Sequence, residues 1–161
     1  MRKTLKGEIL MIKVMFVCHG NICRSPMAEF VFRNMVKKEG LENEFYIASS
    51  ATSREEIGNP VYPPAKRKLK QHGISCDGKR AIQITKDDYK NYDYIIAMES
   101  YNIKNIMKII GSDNEKKIYR LLDFTDNKKD IDDPWYSGNF DITYDEICEG
   151  SRELLNYILK K

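Results

Sequence analysis

The chain has 161 residues, 42% hydrophobic and 32% charged, which suits one globular domain with a full core. Its formal net charge of +3 comes from 27 basic and 24 acidic residues interspersed along the chain, so nothing in the balance argues for nucleic acid. Four cysteines, at 18, 23, 76 and 148, make no disulfide scaffold, and no apolar run approaches the ~18 residues of a membrane span or the core of a signal peptide, so a soluble, cytoplasmic protein is expected.

Residues 1–10 precede Met11 and read as an N-terminal extension, either an upstream start or a frayed, disordered segment, and no function is assigned to them, leaving 11–161 as the domain. Ile12 to Val17 is a β-branched and aromatic run that stops at Cys-His-Gly-Asn, and it predicts a buried strand. Ser25 and Pro26 suit the cap and first turn of a helix carrying Met27, Val31 and Met35 at helical spacing and stopping at Gly40. A second strand is predicted from Phe45 to Ala51. An irregular connection through Gly58-Asn59-Pro60 and Pro63-Pro64 follows, then a short helix closed by Gly73. Asp93 to Met98 predicts a third strand. Ser100 is the expected cap of a helix with Ile103, Ile106, Met107 and Ile110 on one face. Ile118 to Leu122 predicts a fourth strand, and Phe140 to Leu159 a final helix whose stripe of Tyr144, Ile147, Cys148, Ser151, Leu154, Leu155 and Ile158 belongs to the core.

Strands alternating with helices imply an α/β fold: a single domain with a four-stranded parallel sheet and helices on both faces, a flavodoxin-like three-layer sandwich. Ligands then bind beyond the carboxyl ends of the strands.

The segment Cys18-His19-Gly20-Asn21-Ile22-Cys23-Arg24-Ser25 lies between a strand end and a helix start. Five residues between cysteine and arginine let the backbone from His19 to Ser25 wrap into a ring of inward N–H groups, fitted to a phosphate dianion. Cys18 at the mouth of that ring, beside a permanently charged arginine, is favoured as thiolate and nucleophile. Arg24 offers a planar fork for two phosphoryl oxygens, Gly20 and Asn21 suit left-handed backbone, and the Ser25 hydroxyl can steady the sulfur as leaving group. Phenolate leaves poorly unless protonated, so a carboxylic acid is required. Asp133 is the first choice, before the stiffening Pro134 and followed by Trp135 and Tyr136 as walls for a phenyl ring, with Asp132 left open beside it. Two histidines far apart, His19 and His72, leave no metal ligand set, and no cofactor is expected.

Val17 to Pro26, V-C-H-G-N-I-C-R-S-P, resembles the low-molecular-weight protein tyrosine phosphatases, with V-C-x-G-N-x-C-R-S-P. The resemblance continues through Ser49 to Ser53, Gly58-Asn59-Pro60, His72-Gly73-Ile74, Tyr94 to Met98 and Asp133-Pro134-Trp135-Tyr136. It implies metal-independent hydrolysis of phosphotyrosine through a phosphocysteine, with Cys18 as nucleophile, Arg24 as phosphate clamp and Asp133 as general acid and base. It further implies that Asn21 holds the loop with Ser49, that Cys23 can pair reversibly with Cys18, that Trp135 and Tyr136 line the substrate wall, and that Tyr136 is a candidate for phosphorylation. The implied partners are phosphotyrosine proteins, a tyrosine kinase among the candidates, for a monomer or weak dimer.

One segment and three single positions depart from the family. Ser53-Arg54-Glu55-Glu56 stands where an aromatic or large apolar wall is common, and Lys79 and Ile82 where many bacterial members have His and Arg. His19 is often apolar in relatives; its side chain is expected to point outward with no role in proton transfer. An arsenate reductase would need further closely spaced cysteines, a protein-arginine phosphatase tends to carry Thr at the position of Ile22, and a pure phosphotyrosine-binding module would be expected to lack the nucleophile or acid.

Overall fold

A computed structural model describes residues 4–5 and 8–161, with side chains from residue 10 onward. Near the start, Thr4–Leu5 pairs antiparallel with Glu8–Ile9. The expectation of a frayed extension otherwise falls on residues outside those described.

Four strands form one parallel sheet: β1 (Ile12–Cys18), β2 (Phe45–Ala51), β3 (Tyr94–Ala97) and β4 (Ile118–Arg120), in the order β2-β1-β3-β4. The longer helices are α1 (Arg24–Lys38), α2 (Pro63–Gln71), α3 (Ser100–Ile110) and α4 (Phe140–Leu159). Alternate residues of β1 point to opposite layers, as the pleat demands. Val14, Phe16 and Cys18 join the core beneath α1 and α4, while Met15 and Val17 face Ile106 and Ile110 of α3. Both faces are covered, which is why β1 reads as a continuous apolar run rather than an alternation. Phe32 of α1 sits edge-on between Phe16 and Phe45, with ring centroids 5.5 and 5.8 Å away.

The expected fold class is borne out, with differences at element ends. Ser25 does not cap α1: the helix starts two residues earlier, with Cys23 at the cap position, and the Ser25 hydroxyl is engaged elsewhere. Ser100 does not cap α3 either. Glu99 is the cap, and its side chain and that of Asn102 exchange bonds with each other's backbone N–H. β3 is one residue shorter at each end than expected, and β4 stops at Arg120 because Leu121 and Leu122 turn into a 3₁₀ segment that buries both. The α4 stripe lies against the core as read, with Cys148 only half-buried.

β1 is the first strand of the sheet, yet it lies inside, with β2 on one side and β3 on the other. The chain therefore winds away from β1 in both directions, leaving a crevice at its carboxyl end. Cys18 is the last residue of β1 and stands at that crevice.

Candidate active site

The loop after β1 closes around the Cys18 sulfur. Sγ lies 3.0 Å from Ser25 Oγ and accepts from the backbone N–H groups of Asn21 at 3.3 Å and Ser25 at 3.4 Å. Among the described residues none accepts from the amides of His19, Gly20, Ile22, Cys23 or Arg24, so the ring retains free donors of the kind that bind anions.

Asn21 holds the loop in shape. It has φ of +60°, the left-handed region that asparagine tolerates better than most residues. Its Nδ2 donates to Ser25 Oγ at 2.7 Å and Ser49 Oγ at 3.0 Å, and its Oδ1 accepts from the Ile82 N–H at 3.1 Å. Ser49 in turn donates to buried Glu29 at 2.6 Å. Lys79 caps this layer by donating to the Ser49 carbonyl at 2.8 Å. Burial lowers the Lys79 pKa, with Glu29 pulling the other way. The two departures behind the loop thus keep it supported: Ile82 acts through its backbone, and Lys79 brings its own bond.

Gly20 differs from expectation, since its φ is not in the left-handed region. Nor does space require a glycine there: a Cβ would meet Glu56 Cγ at 3.4 Å, an ordinary contact, which shows that Glu56 packs across the loop.

Arg24, 2% exposed, is gripped on one side. Nη1 donates to the Ile131 carbonyl at 2.8 Å and lies 2.6 Å from a Glu99 carboxylate oxygen; Nη2 is 3.4 Å from Asp133 Oδ2. Burial works against the Arg24 charge, but Cys18, Asp133 and Glu99 more than offset it, so the guanidinium stays protonated. The Nε–H and the adjacent Nη2–H edge is left to face a ligand, the edge that grips two oxygens of a phosphoryl group.

Asp133 caps a single helical turn, Pro134–Ser137, its Oδ1 accepting from the Trp135 N–H at 3.0 Å. Pro134 fits the first position of that turn, where no N–H is needed. Asp132, by contrast, is exposed and does not line the cleft. Trp135 leans on Tyr62, ring centroids 4.7 Å apart, and Tyr136 is 85% exposed at the rim.

The cleft encloses about 120 Å³ and brings together Cys18, Arg24, Asp133, Trp135 and Tyr136. Glu55 and Glu56 form its remaining wall, while Arg54 stays outside. His19 stands at the rim rather than pointing clear of it, its Nε2 2.7 Å from Glu55. Burial first, and then Cys18 and Asp133, push the Cys23 thiol far above its ordinary range, and both loop cysteines are free thiols. His72 is remote, at the C-cap of α2, and stacks on Tyr144 at 4.2 Å.

Two groups around Arg24 escaped the sequence reading. The Ile131 carbonyl carries no side-chain signal. Glu99 follows β3 by two residues, at the crevice end of the sheet, and that position was the available clue.

The family model for low molecular weight phosphotyrosine protein phosphatase matches residues 13–161. The chain belongs to that family. It is 42% identical over 153 residues to the Bacillus subtilis low molecular weight protein-tyrosine-phosphatase YfkJ, covering 94% of this chain and 98% of that one. A Gallus gallus low molecular weight phosphotyrosine protein phosphatase is also 42% identical, over 155 residues, with 92% and 96% covered. The crystal structure of YfkJ superposes with a TM-score of 0.89, covering 93% of this chain and 96% of that chain. That of the Streptococcus pyogenes low molecular weight protein tyrosine phosphatase, 40% identical, gives 0.82 over 92% and 93%. Among the described residues no helix is long and apolar enough to cross a membrane.

Proposed function

We propose that this chain hydrolyses phosphotyrosine in proteins, and simple aryl phosphates, through a phosphocysteine intermediate without a metal. The observation that carries the reading is one cleft holding the Cys18 sulfur, the Arg24 guanidinium and the Asp133 carboxyl, above a ring of amide donors.

The phosphate dianion binds in the ring from His19 to Ser25 and on the free edge of Arg24. Cys18 attacks phosphorus as thiolate; the S–P bond forms as the P–O bond to the tyrosine breaks, and Asp133 gives its proton to the departing phenolate. In the second step the Asp133 carboxylate takes a proton from water, whose oxygen attacks phosphorus. The S–P bond then breaks, the Ser25 hydroxyl stabilises the returning thiolate, and phosphate leaves. Asn21 and Ser49 hold the loop, and Trp135 and Tyr136 flank the phenyl ring. Cys23, four residues from the first loop position and equally buried, is the candidate to trap an oxidised Cys18 as a disulfide.

The test compares phosphate release from a phosphotyrosine peptide by the wild type and by Cys18→Ser, in chelator, with phosphoarginine and phosphoserine peptides in parallel. Turnover of phosphotyrosine alone, lost in the variant, is expected. Faster release from phosphoarginine would move the substrate class to phosphoarginine, and binding without release would refute the catalytic roles.

A further inference from the structure

Folding adds cations from a later segment to a basic run that α2 already carries. In α2, Pro63, Lys66, Arg67 and Lys70 fall at i, i+3, i+4 and i+7 and form the outward face, while Ala65 and Leu69 are buried. The chain turns at Gly73 and returns alongside, where Arg80 pairs with Pro60 across an isolated antiparallel bridge. Between α2 and this returning segment runs an open groove, lined on one side by Lys66, Arg67 and Lys70 and on the other by Lys79 and Arg80, with a single acid, Asp77.

The partners of these cations differ. Lys66 is 3.3 Å from Asp77, and Lys79 is turned inward to Ser49 and Glu29. Arg80 donates to the Gly58 carbonyl at 3.3 Å and has no acidic partner among the described residues. Arg67 and Lys70 are exposed and have no acidic partner among the described residues. The floor of the groove is apolar, with Val61 and Cys76 buried and the rings of Pro60 and Pro63 exposed along the edge.

We infer that this groove docks an acidic, extended segment of the phosphoprotein substrate, away from the phosphotyrosine itself; this rests on the reading of the active site given above. Carboxylates would meet Arg67, Lys70 and Arg80, and small apolar side chains the proline rings and floor. The groove lies on the cleft's own loop: Glu55 and Glu56 form the cleft wall, and the same stretch of chain reaches Pro60 and Val61 at the groove. A single-stranded nucleic acid fits less well, because no aromatic side chain lines the groove to stack a base. A membrane surface fits less well too. The groove is concave, and none of the side chains that line it is a large exposed apolar one that could insert; exposed Ile57 and Ile82 lie outside its lining.

The experiment uses two phosphotyrosine peptides that differ only in a tail joined through a flexible Gly-Ser linker, one rich in Glu and Asp, the other in Ser and Gln. The acidic tail is expected to lower KM roughly tenfold at low salt with kcat unchanged, the sum of a few exposed charge pairs. Half-molar salt should erase most of that advantage. Arg67→Ser combined with Lys70→Ser, both on the outward helix face, should remove it while kcat/KM for the neutral-tailed peptide marks the variant as folded and active. Equal KM values for the two tails, or an advantage that survives the double substitution, would overturn the docking site. Direct binding of the acidic tail without phosphotyrosine, read by fluorescence anisotropy, separates the two readings. Loss of turnover on every peptide with tail binding intact and sensitive to Arg67 and Lys70 would sink the active-site assignment alone. Tighter binding of an RNA oligonucleotide or of anionic vesicles through the same two residues would overturn the peptide in favour of those ligands.

Discussion

Glu99 lies 2.6 Å from Arg24 through a carboxylate oxygen and Nη1, with Arg24 2% and Glu99 26% exposed. The pair fixes which edge of the guanidinium is spent inside the protein and which faces the cleft. Glu99 also caps α3, so the helix that covers one face of the sheet and the phosphate clamp share one carboxylate.

Removing that carboxylate should mis-set the clamp without removing it. Glu99→Ala is expected to lower kcat/KM for aryl phosphates about tenfold, or ~1.4 kcal/mol, and to weaken competitive inhibition by inorganic phosphate in proportion. Glu99→Asp, which keeps charge and cap, should recover part of both. A drop in melting temperature with unchanged phosphate inhibition would leave Glu99 as a helix cap and no more.

Asp133 is expected to matter in proportion to the need of the leaving group for a proton. Asp133→Asn should cut kcat/KM for phenyl phosphate roughly 10²- to 10³-fold, and cut it less for p-nitrophenyl phosphate, whose phenolate leaves unaided. Steady-state assays with the two esters decide it. Equal losses would argue that Asp133 positions Arg24 rather than delivering a proton.

The loop support is a chain of three buried side chains, Asn21, Ser49 and Glu29. Ser49→Ala leaves an Asn21 donor and a Glu29 oxygen without their partner, at a cost of about 1–3 kcal/mol. Unfolding in urea should show that loss, with kcat falling as the ring relaxes. Ser49→Thr, which keeps the hydroxyl, should retain more of both than Ala.

The elements most legible in the sequence were those specified locally. β1 announced itself by the apolar run from Val14 to Cys18, and α4 by a stripe whose Ile147, Leu154 and Leu155 are all buried. The chemistry was legible for the same reason: Cys18, Asn21, Arg24 and Ser25 lie within one loop, and Asp133 beside Pro134 and Trp135 marks a second. What escaped depends on distant chain. The Arg24 bond to the Ile131 carbonyl spans 107 positions, and no pattern around either residue encodes it. Ser100 looked like a cap because its hydroxyl suits one, yet it bonds Asp130 from across the fold, and Glu99 takes the cap. Gly20 was read by conformation, yet its φ is not left-handed and nothing in the structure around it requires a glycine.

Asp130 supplies a pH dependence of stability. Burial raises its pKa, but the Ser100 N–H, Arg120 and the Ser100 hydroxyl outweigh burial and hold the carboxyl below its ordinary range. A depressed carboxyl contributes stability that is present above the unfolded-state value, about pH 4, and is lost as pH falls through the lower folded value. Melting temperature measured from neutral pH down to about pH 2.5 should fall less steeply in Asp130→Asn than in the wild type at the acid end. Parallel curves would mean that solvent screening leaves this exposed cluster without weight.

Gly150 of α4 lies close against Leu121, in the segment after β4. A Cβ there would lie 2.5 Å from Leu121 Cγ, and Leu121 is fully buried with nowhere to move. Helix propensity alone favours alanine over glycine by about 1 kcal/mol, whereas overpacking a core costs about 1–3 kcal/mol, and an overlap this close lies at the upper end. Gly150→Ala should therefore destabilise the protein by about 1–2 kcal/mol, a fall in melting temperature of roughly 2–8 °C for a domain of this size. Pairing it with Leu121→Ala makes room for the new methyl. The double variant should then be more stable than the sum of the two single losses by more than ~0.5 kcal/mol, the coupling expected of residues in contact. Strict additivity in the thermal melts would show that α4 shifts to relieve the overlap and that Gly150 sets no close approach.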